Sequence, residues 1–320
     1  SETGRRVLAV ASESLTPVVL ELGGKDAAIV LEDADLLRSA RGILWGAFQN
    51  AGQACIGVER VFVVEEVFDA FLASLLEEVK RLKAGSTPGV DVGPMVVQHQ
   101  LQQVEDHLED AISRGGKVVA GGHRADPASN VFQPTVLTNL QPASAVLHEE
   151  TFGPLLPVVR VKDQGEAIQR ANETLYGLSA SVWTGDKARG LEVARRLRVG
   201  GVTVNDVLIH YGIPRLPIGG SRESGFGRTR GLEGLAELTQ PRGTVVDRLL
   251  TRRVDLFDGH QGSRGDLNGA GGVEGQTRRS GGGGIGRVDD DVCIRVAEGI
   301  VERLQRPAQS LDHLLQSRLA

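Results

Sequence analysis

Between residue 18 and about residue 247, short apolar β-branched runs alternate with longer stretches whose apolar residues recur every three or four positions. Residues 18–20, 27–31, 61–64, 158–161, 179–183 and 202–204 read as buried strands, because a strand covered on both faces is apolar throughout instead of alternating. Segments 35–50, 66–83, 96–114, 164–173 and 186–198 have helical spacing. In the second of these, Phe68, Phe71, Leu72, Leu75, Leu76 and Val79 fall along one face. The pairs Gly115-Gly116, Gly121-Gly122 and Gly200-Gly201 mark helix stops and turns. Strands alternating with helices predict an α/β layer fold with a largely parallel sheet. Beyond residue 251 the pattern is lost. Residues 258–287 are rich in Gly, Arg and Asp, too poor in apolar side chains to offset ordering entropy, and are expected to be disordered. Residues 292–304 have the spacing of one short helix.

Composition narrows the function classes. With 40% apolar and 24% charged residues in 320, the chain can bury a sizeable core. A formal net charge of −5 with no basic stripe argues against nucleic acid as a partner. No apolar run approaches the ~20 residues of a membrane-spanning helix. The opening stretch, SETGRRVLAVASESL, has no secretory apolar region. Cys55 and Cys293 form no CxxC pair, so neither a disulfide framework nor a metal site is expected, and a reducing cytoplasm is the default location.

Four segments carry candidate chemistry. Glu21-Leu22-Gly23-Gly24-Lys25 follows a strand, and paired glycines there mark backbone positions where a side chain would clash. In Phe48-Gln49-Asn50-Ala51-Gly52-Gln53-Ala54-Cys55 a helix ends and a single cysteine enters a loop of small residues. Gly52, Ala54 and Gly57 leave room for a substrate and let the Cys55 amide face a bound oxygen. The third is Glu149-Glu150-Thr151-Phe152-Gly153-Pro154, and the fourth runs from Pro217 to Arg228 as PIGGSRESGFGR. Taken singly, each is an ordinary turn, and a lone cysteine is more often a small buried hydrophobe than a nucleophile.

In this order, ELGGK, GQxC, ExFGP and the Pro-x-Gly-Gly loop with SGxGR resemble the aldehyde dehydrogenase superfamily over about residues 1–248. The connecting phrases Val92-Gly93-Pro94, Gln133-Pro134-Thr135-Val136, NETLYGLS from Asn172 to Ser179, and Val204-Asn205 agree. The resemblance implies NAD or NADP as cofactor, a small-molecule aldehyde as substrate, and Cys55 as nucleophile with Glu21 as general base. Oxidising an aldehyde by hydride loss requires a tetrahedral adduct first, and a thiolate both adds readily and later leaves. A free cysteine is only a few per cent thiolate at neutral pH. The resulting thioester needs activated water, and Glu21 in that role favours a free carboxylic acid over transfer to coenzyme A. By the same resemblance Glu150, Phe152, Leu22, Gly23, Ser1 and Gly4 bind cofactor, with Glu150 on the nicotinamide ribose hydroxyls and Phe152 beside that ribose. Phe48, Ala54, Ile56, Ile209 and His210 line the aldehyde tunnel, His210 as tunnel wall or solvent-facing instead of catalytic. The oxyanion is held by the Cys55 amide and a side-chain amide from a Pro-Trp-Asn motif that nothing in this sequence matches.

The expected fold is therefore an aldehyde dehydrogenase-like catalytic domain over residues 25–224. Residues 1–24 are the remaining part of a Rossmann-type cofactor domain, with Ser1–Gly4 resembling its pyrophosphate turn. Residues 225–250 form a return segment with an oligomerisation strand, Gly243 to Val246, through which family members pair as homodimers or homotetramers. Residues 251–320 are a tail. Two alternatives stay open: a non-catalytic remnant, and cofactor-independent ester hydrolysis by Cys55 and Glu21.

Overall fold

The computed structural model describes residues 1–244, of which Ser1–Gly243 belong to one unit. In chain order its elements are α1 (Glu2–Glu13), β1 (Leu20–Glu21), β2 (Asp26–Val30), α2 (Leu36–Phe48), β3 (Val58–Val64), α3 (Phe68–Val79), α4 (Gln98–Ser113), β4 (Lys117–Ala120), β5 (Thr135–Thr138), β6 (Leu155–Val161), α5 (Gln164–Asn172), β7 (Ser179–Trp183), α6 (Lys187–Arg196), β8 (Gly201–Val204), β9 (Gly225–Phe226) and α7 (Gly231–Glu237). Seven strands form one sheet in the order β4-β5-β6-β3-β2-β7-β8, all parallel except β4, which runs antiparallel to β5.

The apolar runs are buried on both faces, as their unbroken hydrophobicity requires. Ala28, Val30, Val61 and Val63 pack with α2, α3 and α4 on one side. Ala27, Ile29, Phe62 and Val64 pack with α5 and α6 on the other. Alternate residues of one strand thus serve two cores, the period-two geometry of the pleat. Helix starts are capped locally: Asp35, Asp163 and Asp186 accept the amides of Arg38, Glu166 and Ala188.

The five helical segments read from spacing correspond to α2–α6, and Gly115, Gly121 and Gly122 adopt positive φ as stops and turns require. One reading needs correction, and several elements went unread. The expected strand at 18–20 is instead the two-residue β1, outside the main sheet and paired antiparallel with β9. Strands β4 and β5 were not read from the sequence: β4 is a four-residue, largely exposed edge strand, and β5 is four buried residues bracketed by threonines. Helix α1 was not read from the sequence, and its Val7, Leu8 and Val10 are exposed. The Gly-rich segment 258–287, the helix at 292–304 and residues 245–246 of the oligomerisation strand lie outside the described residues. Among the described residues no helix is long and apolar enough to cross a membrane.

Parallel pairing decides where the site sits. Residues 21–25 precede β2, Cys55 precedes β3, residues 149–154 precede β6 and residues 176–178 precede β7. Because these four strands run the same way, all four segments meet at the amino-terminal edge of the sheet. Ligands of open α/β sheets more commonly sit at the carboxyl edge.

Candidate active site

Cys55 is delivered by a strained turn. After α2, Asn50, Ala51 and Gly52 take φ of 51°, 57° and 73° in succession. That left-handed backbone is tolerated by asparagine, unfavourable for alanine and natural for glycine. Reciprocal bonds hold it: the Asn50 side-chain amide donates to the Gln53 carbonyl and the Gln53 amide to the Asn50 carbonyl, both at 2.9 Å. Gln53 Oε1 also accepts the Val96 amide at 2.9 Å. A Cβ on Gly52 would lie 2.4 Å from the Gly153 carbonyl oxygen, so only glycine lets this turn touch the 149–154 segment. Cys55 as a residue is exposed. The packing around it nonetheless pushes its thiol pKa up, chiefly by desolvation and further by the Asp26 and Glu150 carboxylates, while the amides of Ile56 and Cys55 itself pull it down.

Glu21 sits in β1 opposite Gly225 and is exposed. Its carboxylate accepts the Thr229 hydroxyl at 2.6 Å, and among the described residues no hydrogen bond joins it to Cys55. The chain then passes through Gly23 and Gly24, where the two loops meet. A Cβ on Gly24 would be 2.7 Å from the Cys55 carbonyl oxygen and 2.9 Å from Asp26 Oδ1. The Gly24 amide donates to Glu150 Oε1 at 2.9 Å, and a Cβ on Gly23 would lie 2.2 Å from the other oxygen of that carboxylate. Burial raises the pKa of Glu150, with the Gly24 amide and Lys25 opposing. Phe152, half-buried, holds a φ of 49°.

Ser1, Gly4 and Leu22 border a cleft of about 1100 Å³ with Glu149, Tyr176 and Phe226. Gly4 packs on Leu22, and the Ser1 hydroxyl donates to the Glu223 carbonyl at 2.8 Å. The tunnel residues are more scattered. Ala54 and Ile56 flank Cys55 and are half-buried, and Ile209 is exposed. Phe48 is buried in the larger core and borders a separate cleft with Leu44, Trp45 and Arg81. His210 is buried, not solvent-facing, with its ring against Gly201 and Nδ1 lacking a partner. Among the described residues no cluster of side chains is arranged to hold a metal ion.

Sequence reasoning missed Asp26, Glu59, Thr151 and Thr229. Asp26 is buried, with Oδ1 accepting the Ser179 amide at 2.9 Å and Oδ2 unpartnered. Its pKa is pushed up to about 8, mainly by burial. The available signal was a carboxylate at the head of an otherwise apolar strand.

The Aldehyde dehydrogenase family model matches residues 1–244. This chain belongs to the aldehyde dehydrogenase family. It is 45% identical over 247 residues to a Methylomonas sp protein named 4,4'-diapolycopene aldehyde oxidase, covering 77% of this chain and 46% of that one. It is 38% identical over 253 residues to a putative succinate-semialdehyde dehydrogenase [NADP(+)] 2 of Mycobacterium bovis, covering 78% and 49%. The structure superposes on an NAD-dependent aldehyde dehydrogenase from Sinorhizobium meliloti with a TM-score of 0.75 at 35% identity, covering 80% of this chain and 51% of that one. The chain thus spans about half the length of the curated relatives it matches.

Proposed function

We propose that residues 1–244 carry the thiol chemistry of an NAD(P)+-dependent aldehyde dehydrogenase that releases a free carboxylic acid. The observation that carries this reading is the junction at Gly23 and Gly24, where the Cys55 loop and the Glu150 carboxylate meet on backbone stripped of side chains. Naming of relatives for NADP+ and NAD+ supports the cofactor. The residues present would suit it: Glu150, held on the Gly24 amide, and Phe152 would take the nicotinamide ribose with Gly23 alongside, and Leu22, Ser1 and Gly4 border an open cleft that would take the rest. Bound there, the cofactor would accept the hydride.

Cys55 adds its sulfur to the aldehyde carbon, and the amides of Cys55 and Ile56 stabilise the oxygen that gains charge. Because desolvation disfavours the thiolate, a base must take the thiol proton. After oxidation the acyl group remains on sulfur as a thioester. Glu21, released from Thr229, then takes a proton from the water that cleaves it. The name of the Methylomonas relative supports an apolar aldehyde, and Ile209, Tyr211 and Ile213 are exposed apolar side chains that would suit one. The domain boundaries at residues 24, 224 and 250, and pairing into homo-oligomers, are part of the same proposal.

The test is aldehyde-dependent NADH or NADPH formation by the purified chain, with ester hydrolysis measured separately and Cys55→Ser as control. Both activities are expected to vanish in Cys55→Ser. Ester hydrolysis that survives it would remove Cys55 as nucleophile.

A further inference from the structure

Behind the Glu150 loop lies a buried polar cluster that the proposed chemistry does not use. Lys25, fully buried, donates from Nζ to Glu59 Oε2 at 2.5 Å and to Thr151 Oγ1 at 3.2 Å. Glu59 accepts two more bonds at 2.8 Å: Oε2 from the Thr151 amide and Oε1 from the Phe152 amide. Thr151 Oγ1 is also 3.1 Å from His107 Nδ1, and the Thr151 carbonyl accepts the Gln100 side-chain amide at 2.7 Å. The Lys25 carbonyl, in turn, accepts Arg60 at 3.0 Å and 2.6 Å. Every polar atom of this carboxylate and ammonium that faces the 150–152 backbone is therefore engaged.

The placement is not that of a pair serving stability alone. Lys25 lies four residues after Glu21 and Glu59 four residues after Cys55. The bidentate carboxylate grips the two amides that immediately follow Glu150, one belonging to the left-handed Phe152. A non-glycine residue keeps such a backbone only where its surroundings over-determine it. Replacing a buried ion pair by apolar groups is often neutral for stability, so stability alone does not account for this pair.

We propose that the Lys25–Glu59 pair is a positioning clasp that fixes Glu150 and Phe152 against the Gly23-Gly24 backbone and keeps this loop in register with Cys55. The assignment of Glu150 and Phe152 to the cofactor ribose rests on the reading above; the clasp itself rests on the hydrogen bonds.

Amide hydrogen exchange across residues 1–244 tests it, in Glu59→Gln and in the double variant Lys25→Met/Glu59→Gln, which avoids stranding a buried ammonium. The clasp predicts that exchange at 150–153 accelerates by about tenfold or more, with other strands unchanged. It also predicts that KM for NAD+ and NADP+ rises by about tenfold while KM for the aldehyde moves much less. Exchange that stays slow at 150–153 in both variants, or rises equally in every strand, would overturn the clasp. So would equal rises in both KM values. Absence of NAD(P)+ turnover in the unsubstituted chain would count against the proposed oxidation instead, and the exchange pattern would still decide the clasp.

Discussion

Asp26→Asn removes a titration without changing the shape of a buried side chain. Asp26 is 4% exposed, its Oδ2 has no partner, and burial lifts its pKa to about 8 from an ordinary value of 3.8. The folded state therefore retains the proton while the unfolded chain gives it up. A raised carboxyl contributes stability that is complete below the unfolded pKa and is lost as pH rises towards the folded one. The fold should lose about 1.4 kcal/mol per pH unit from this residue between about pH 4 and pH 8. Over the interval from about pH 5 to pH 7.5 that amounts to roughly 3 kcal/mol. Asparagine does not titrate, and its unpartnered NH2 lowers stability by about 1–3 kcal/mol at every pH. The informative quantity is thus the difference between chain and variant as a function of pH, from which the other carboxylates cancel. Urea unfolding followed by fluorescence of Trp45 and Trp183, the two tryptophans of the chain, measures it at both pH values. The variant should gain about 3 kcal/mol relative to the unsubstituted chain on going from pH 5 to 7.5. Parallel stability curves, agreeing within about 0.5 kcal/mol, would refute the argument that Asp26 is held neutral.

Other expectations follow from the same geometry. In a Cys293→Ser background, alkylation of Cys55 by iodoacetamide should keep accelerating with pH beyond the point where a free cysteine peptide levels off, because desolvation and the carboxylates of Asp26 and Glu150 disfavour its thiolate; a midpoint at or below the peptide's would contradict this. Thr229→Val frees Glu21 from a single hydroxyl donor, and with such a bond worth about 1 kcal/mol, ester hydrolysis should rise by up to about fivefold. Thr229→Ser should restore the original rate, and a fall in rate with valine would show that the bond assists the base instead of restraining it. Gly52→Ala puts a methyl against the Gly153 carbonyl at a φ of 73°, and should destabilise the fold by about 1–3 kcal/mol, seen as a lower Tm. An unchanged Tm would mean that the turn relaxes freely.

Local pattern was enough for much of this molecule. Unbroken runs such as Ala-Ala-Ile-Val before Leu31 announce strands covered on both faces, and the spacing along α2–α6 announces helices, because both signals are written in consecutive residues. The segments holding Glu21 and Cys55 stood out for another reason: close backbone approach demands the glycines around them, which form short motifs. What failed locally was whatever depended on distant chain. Thr229 meets Glu21 across 208 residues, and Glu59 meets Thr151 across 92. Nothing in Val-Glu-Arg-Val distinguishes a buried, triply bonded carboxylate from a solvated one, because desolvation is a property of neighbours. Asp26 is the same case, a charge at the head of an apolar strand whose state depends on what covers it. Sequence by itself thus determined most of the elements and the short motifs that carry the proposed chemistry. The parallel order of β6, β3, β2 and β7 decided that the segments before them share one edge, and packing there decided which of their charged groups keep their protons.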